Sequence, residues 1–221
     1  MTQPSGAGNT PPPELIYVIR HGEKPAGSVS SGAGSGPPAT PPGPPFGVDV
    51  QGVQNPHSLL PRGWQRSGAL VVLFDPATGT TQAGLRTPGT LLSPAHGSAA
   101  KTTAHRAYQT IEGLSGRLGL PILSAFAEGQ EPQLAASVVS GNSGVVLICW
   151  EHGRIPALAS ALPTVAGTVI PQAWPGDRFD VIWTFTLVPG AAPVQYTFGQ
   201  IPQQLLSGDT DTVISVQPTG T

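Results

Sequence analysis

Arg20 and His21 close a short apolar run, Leu15-Ile16-Tyr17-Val18-Ile19, and lead directly into Gly22-Glu23-Lys24-Pro25. The run is rich in β-branched and aromatic residues, which predicts a strand covered on both faces. Polar residues at the C-terminal end of such a strand project into the crevice where open α/β sheets bind ligands. A guanidinium there presents a fork of donors matched to phosphate, and an imidazole presents a nitrogen able to attack phosphorus. Gly22 lets the backbone turn sharply and lets a ligand come close.

Two later segments repeat the theme. Thr103-Ala104-His105-Arg106-Ala107-Tyr108-Gln109-Thr110 places an arginine where a helix begins, and Val145-Val146-Leu147-Ile148-Cys149-Trp150-Glu151-His152-Gly153 is a second apolar run ending in His-Gly. Taken in order, the three segments resemble the histidine phosphatase superfamily, in its phosphoglycerate-mutase-like branch, and the resemblance spans most of residues 14–190. It implies a three-layer α/β/α sandwich with a mostly parallel central sheet. It also implies hydrolysis of phosphomonoesters through a covalent phosphohistidine. His21 would be the nucleophile, Arg20 and Arg106 would clamp the phosphoryl oxygens, and His152 would add positive charge as the transition state forms.

The resemblance is least specific about the general acid. Mutase-like relatives use a glutamate some way after the second arginine, which selects Glu128, with Glu131 close by. Acid-phosphatase relatives use an aspartate directly after the second histidine, where this chain has Gly153. Glu151 and Glu23 are the remaining carboxylates beside the motifs. The chain also leaves the mutase pattern after Glu23, where Lys24-Pro25 runs straight into an insertion. Together with Trp174-Pro175-Gly176-Asp177-Arg178-Phe179-Asp180, this looks like a less characterised bacterial-type phosphatase subgroup.

The elements that must position these groups alternate. A helix is expected over residues 59–74, with Arg62 and Arg66 on a solvated face in preference to a role in binding an anionic substrate, and a short strand over Thr90–Ser93. His105 to Gly119 reads as a helix, because Ala107, Ile111, Leu114 and Leu118 share a face and glycine suits the C-terminal cap. A strand at 121–123, a helix over Glu131–Val139, a strand at Val145–Cys149 and a short helix over 153–162 follow. Residues 180–187 and 194–198 form a closing hairpin around Pro189-Gly190. This alternation predicts helices on both faces of a sheet. Residues 1–13 read as a disordered tail, 14–206 as one domain and 207–221 as a frayed tail. Within the domain, 26–47 is a Pro/Gly-rich insertion that cannot form a helix or a central strand. A loop of that length is either a cover for the site or a solvated insertion. His57 and His96 fall outside any motif and are expected to be exposed, and His105 to be structural.

Composition narrows the function classes. The chain has 221 residues, a net charge of −2 and only 10% charged residues, with 26 Pro and 29 Gly. Its few basic residues are scattered, so nothing marks a nucleic-acid surface. No apolar run approaches the ~20 residues of a membrane span. The single cysteine, Cys149, excludes an internal disulfide and suits a cytoplasmic protein. The histidines lack short metal-ligand spacing, so no metal or organic cofactor is expected. The expected partner is a phosphorylated small molecule or a phosphoprotein. Two other readings share these residues: a catalytically weak module that binds phosphorylated ligands or proteins, and a phosphatase acting on protein phosphohistidine.

Overall fold

The computed structural model describes residues 10–26, 44–97 and 104–216. Six strands and four helices run in the order β1 (Leu15–Arg20), α1 (Pro61–Phe74), β2 (Thr90–Leu92), α2 (His105–Leu118), β3 (Ile122–Leu123), α3 (Glu131–Gly141), β4 (Val145–Trp150), α4 (Ile155–Ala161), β5 (Val181–Leu187) and β6 (Tyr196–Pro202). The strands form one sheet in the order β3-β2-β4-β1-β5-β6. Among the described residues no helix is long and apolar enough to cross a membrane.

The period-two alternation of the apolar runs builds two cores. Ile16 and Val18 of β1, with Val146, Ile148 and Trp150 of β4, pack against α3 and α4 on one face. Leu15, Tyr17 and Ile19, with Val145, Leu147 and Cys149, pack against α1 and α2 on the other. Every residue of both strands is buried, as expected of central strands covered by helices. Helix α2 ends at Gly119, which adopts the left-handed conformation (φ 67°) that glycine reaches without steric cost.

The sheet corrects one expectation: it is mixed, not mostly parallel. The parallel ladders β1·β4, β2·β4 and β2·β3 carry six, three and two residue pairs. The antiparallel ladders β1·β5 and β5·β6 carry five and seven. The connection across 188–195 is too short for a crossover, which makes β6 antiparallel to β5, and β5 itself joins the edge of β1 antiparallel.

Three further expectations change. Arg66 is no solvated residue; it is 1% exposed and paired with Glu23 and Asp209. Arg62 is more exposed but also bonds Glu23. The C-terminal segment is held as far as it is described. Asp209 Oδ2 accepts from the backbone N–H groups of Leu205 and Leu206, and Ile214 is buried against the sheet. His57 and His96 are half-buried rather than exposed. Residues 27–43, most of the Pro/Gly-rich insertion, and the tail residues 1–9 and 217–221 lie outside the described residues.

Candidate active site

The parallel register of β1 and β4 sets the geometry. Arg20 lies opposite Trp150, so the two strands end side by side, with His21 leaving one and Glu151-His152 leaving the other. The His21 backbone N–H donates to the Trp150 carbonyl at 3.2 Å. The rings of His21 and His152 stand 6.3 Å apart at 90°.

Helix α2 delivers the second arginine in its first turn. Thr110, one turn later on the same face, bridges the two halves of the site. Its Oγ1 accepts from the Gly22 N–H at 2.8 Å and donates to the Arg106 carbonyl at 2.7 Å. Helix α1 closes from the other side. Gly22 and Gly63 approach so closely that a Cβ on Gly22 would lie 3.0 Å from the Gly63 carbonyl oxygen. The absent side chain of Gly22 therefore serves helix packing at least as much as ligand access.

His21 is 4% exposed. Its Nδ1 faces the Gly22 carbonyl at 2.8 Å. A carbonyl only accepts, so Nδ1 carries the proton, and in the neutral ring Nε2 keeps its lone pair. Burial, followed by the charges of Arg20 and Arg106, holds the ring's pKa well below its ordinary value, so His21 is neutral near pH 7.

The two guanidiniums are buried cations. Arg20 Nη1 donates to the carbonyls of Pro175, Gly176 and Arg178 at 3.1, 2.8 and 2.9 Å. Its Cζ sits 3.8 Å above the Phe179 ring, a cation–π contact. Arg106 Nη2 donates to the Pro56 carbonyl at 2.6 Å. Burial lowers both arginines to about 10, opposed at Arg20 by Glu151, Glu23 and Asp177 and at Arg106 by Glu128. Both remain charged at neutral pH. Three of their buried N–H groups, Arg20 Nε, Arg20 Nη2 and Arg106 Nε, have no hydrogen-bond partner among the described residues. Buried donors are nearly always satisfied, and unsatisfied ones cost about 1–3 kcal/mol each. Three such donors beside one neutral imidazole have the chemistry to receive the oxygens of an anion.

The carboxylates separate by position. Glu131 accepts from the Trp150 indole at 3.0 Å and the Gly129 N–H at 2.8 Å, which fixes the start of α3. Glu23 binds Arg66 and Arg62. Both are structural. Glu151 Oε1 lies 2.6 Å from His152 Nδ1, and the charge of Glu128 acts on Arg106. Arg20, His21, Arg106 and His152 thus converge, with Glu128 and Glu151 at the margin. Among the described residues no group of three or more His, Cys, Asp or Glu is arranged to hold a metal ion.

Sequence reasoning missed four contributors. Thr110 was findable, since it stands four residues after Arg106 and shares its helix face. Lys24 was findable by adjacency; burial and the fields of Arg106 and Arg20 lower its pKa, which places a further cation beside them. Phe179 comes from the noted segment 174–180, whose contact with Arg20 no spacing announces, and His57 comes from a loop outside any motif. Comparison with protein-family models, with curated proteins and with solved structures finds no match to this chain.

Proposed function

We propose that this chain is a phosphomonoesterase of the histidine phosphatase type, with the phosphoglycerate-mutase-like fold that this type implies. The observation that carries the proposal is the neutral His21 ring, whose Nε2 keeps its lone pair, beside three buried guanidinium N–H groups that no described residue satisfies. A phosphoryl group supplies what those donors lack, because its equatorial oxygens accept charge-assisted bonds while phosphorus faces the imidazole.

In this reading Nε2 of His21 attacks phosphorus and forms the P–N bond as the P–O bond to the leaving group breaks. The leaving oxygen takes a proton from Glu128, the carboxyl assigned to that step. Water then attacks phosphorus of the phosphohistidine and gives its proton to the Glu128 carboxylate, the P–N bond breaks, and phosphate leaves as Nε2 recovers its lone pair. Arg20, Arg106 and His152 stabilise the five-coordinate species in both steps, and losing one such donor typically costs about 10²–10³ in rate.

The test is turnover of an aryl phosphate by wild type and His21→Ala, with a denaturing alkaline quench to trap a phosphoenzyme that is stable to base and labile to acid. Turnover and trapping by wild type, with both lost in His21→Ala, is the expected result. Failure of wild type to turn over aryl phosphates or a phosphohistidine protein overturns the proposal. One observation favours a binding module as the alternative: the two marginal carboxylates are engaged within the site, Glu151 with the His152 ring and Glu128 with the charge of Arg106. Phosphate binding without turnover would select it.

A further inference from the structure

Resting on that reading, a neighbouring ion-pair network bears on how the guanidinium donors stay open for a ligand. Glu23 stands two residues after His21 and three after Arg20, so the chain itself brings a carboxylate to the edge of the proposed phosphoryl site. A carboxylate accepts the same charge-assisted bonds as a phosphoryl group, and a tethered one competes at high effective concentration. Its charge acts on Arg20. Even so, Arg20 Nε and Nη2 have no hydrogen-bond partner among the described residues.

Arg66 draws that carboxylate elsewhere. Its Nε donates to Glu23 Oε1 and Oε2 at 3.2 and 3.1 Å, and its Nη2 donates to Oε1 at 2.8 Å. The far edge of the same fork binds Asp209, from Nη1 to Oδ2 at 3.0 Å and from Nη2 to Oδ1 at 2.7 Å. Arg62 Nε adds a bond to Glu23 Oε1 at 3.1 Å. Two guanidiniums and two carboxylates balance, so the network places no net charge beside the site.

The backbone of Glu23 is held separately. Its carbonyl accepts from the Leu60 N–H at 2.9 Å, and its peptide lies against Gly63. The clamp on the side chain therefore sets the direction of the carboxylate rather than the path of the chain. Glu23 and Arg66 line a cavity of about 340 Å³, which leaves the side chain room to turn. Phe179 belongs to the same wall, and its ring carries Arg20 Cζ at 3.8 Å.

We infer that Arg66 is a positioning residue of the proposed site: it holds the Glu23 carboxylate away from Arg20 and so keeps the phosphoryl donors free for substrate. Arg66 touches no substrate itself and acts through Glu23 alone.

The test is the Kd of inorganic phosphate and of vanadate, by calorimetry, for wild type, Glu23→Gln, Arg66→Met and two double variants. Arg66→Met weakens both anions about tenfold or more, the loss of one charge-assisted hydrogen bond to the released carboxylate. Adding Glu23→Gln to Arg66→Met returns the affinity to within about threefold of wild type. Adding Asp209→Asn instead removes the other stranded carboxylate and leaves the affinity low. Glu23→Gln alone stays within about threefold of wild type, because its carboxylate is already held off the donors. A purely structural role for Arg66 would let both double variants recover alike, or neither, and either pattern overturns the inference. So does an Arg66→Met variant that binds phosphate as wild type does. Should Arg66→Met not fold, the two double variants are compared directly, and equal affinities overturn the inference. If wild type binds neither anion, the proposed phosphoryl site fails and this inference fails with it; if wild type binds and the pattern is absent, this inference alone fails.

Discussion

Two glycines in one helix give a prediction with opposite signs. Gly63 and Gly68 both lie in α1. A Cβ on Gly68 meets nothing within 4 Å, whereas a Cβ on Gly63 would lie 2.6 Å from the Glu23 carbonyl oxygen and 2.9 Å from its nitrogen. Both contacts are backbone, so no side chain can swing away. Reaching an ordinary separation of 3.4 Å requires α1 and the Gly22-Glu23 segment to part by about 0.8 Å. Alanine favours a helix interior over glycine by about 0.8–1 kcal/mol, which should appear in Gly68→Ala as a gain of roughly 2–4 °C in Tm. In Gly63→Ala that gain is opposed by overpacking of about 1–3 kcal/mol, so its Tm should lie roughly 2–12 °C below that of Gly68→Ala. The displaced segment holds His21 in place, and a misplacement approaching 1 Å can cost about 10²-fold in rate. Gly63→Ala should therefore lose at least tenfold in kcat on an aryl phosphate while Gly68→Ala keeps wild-type turnover. Thermal melts and steady-state kinetics on the pair read both effects. Equal melting temperatures with equal kcat would refute the claim that close backbone approach of α1 sets the position of the nucleophile.

Four other outcomes follow from the same contacts. Thr110→Val leaves the buried Gly22 N–H without an acceptor and should cost about 1–3 kcal/mol in urea unfolding, with Thr110→Ser restoring most of it; no loss in the valine variant would remove Thr110 as the bridge. Asp209→Ala leaves Arg66, otherwise buried, short of a charged partner and should cost about 3–5 kcal/mol, measured the same way; a loss under about 1 kcal/mol would show that the C-terminal segment is not anchored by this pair. Folded-state pKa values of His21, His57 and His105 are all lowered, the last to about 4, so below about pH 6.5 the unfolded chain binds protons that the folded chain refuses and stability falls with pH. His105→Gln should flatten Tm against pH between about 6.5 and 4, and an unchanged slope would contradict the burial of that ring. Glu128→Gln should slow alkyl phosphates much more than activated aryl esters, and equal slowing of both would remove it as the proton donor.

The fold was legible in the sequence where periodicity is strong. The alternating apolar runs at 15–20 and 145–150 announced two central strands, and the face shared by Ala107, Ile111 and Leu114 announced α2. The closing hairpin was legible from its short connection, but the antiparallel direction of β5 against β1 was not, because strand composition does not encode direction. Arg66 was misread for a related reason. Its position within α1 suggested solvent, yet Glu23 and Asp209 arrive from segments far away in the chain and make burial tolerable. Four of the expected groups, Arg20, His21, Arg106 and His152, were visible because each closes an apolar run or opens a helix. His57 was invisible because nothing in its neighbourhood differs from an ordinary loop, and Phe179, although it falls in the noted segment 174–180, carried no signal that its ring would meet Arg20.

These features also explain why a chain so poor in charge keeps a dense cluster of cations. Burying Arg20 and Arg106 lowers each toward about 10, a cost that backbone carbonyls only partly offset through one nitrogen of each fork. Neutralising either arginine by a conservative fold would be cheap in sequence, since apolar residues of similar size often replace buried ions without loss of stability. The arrangement makes physical sense if the remaining N–H groups are directed at a ligand that is more negative than any residue near them. Arg20→Met and Arg106→Met should then melt at or above the wild-type temperature in buffer while losing the rise in Tm that phosphate or vanadate gives the wild type. Destabilised methionine variants that still respond to phosphate would mean that the guanidiniums serve the fold, and that the donors left open around His21 bind no anion.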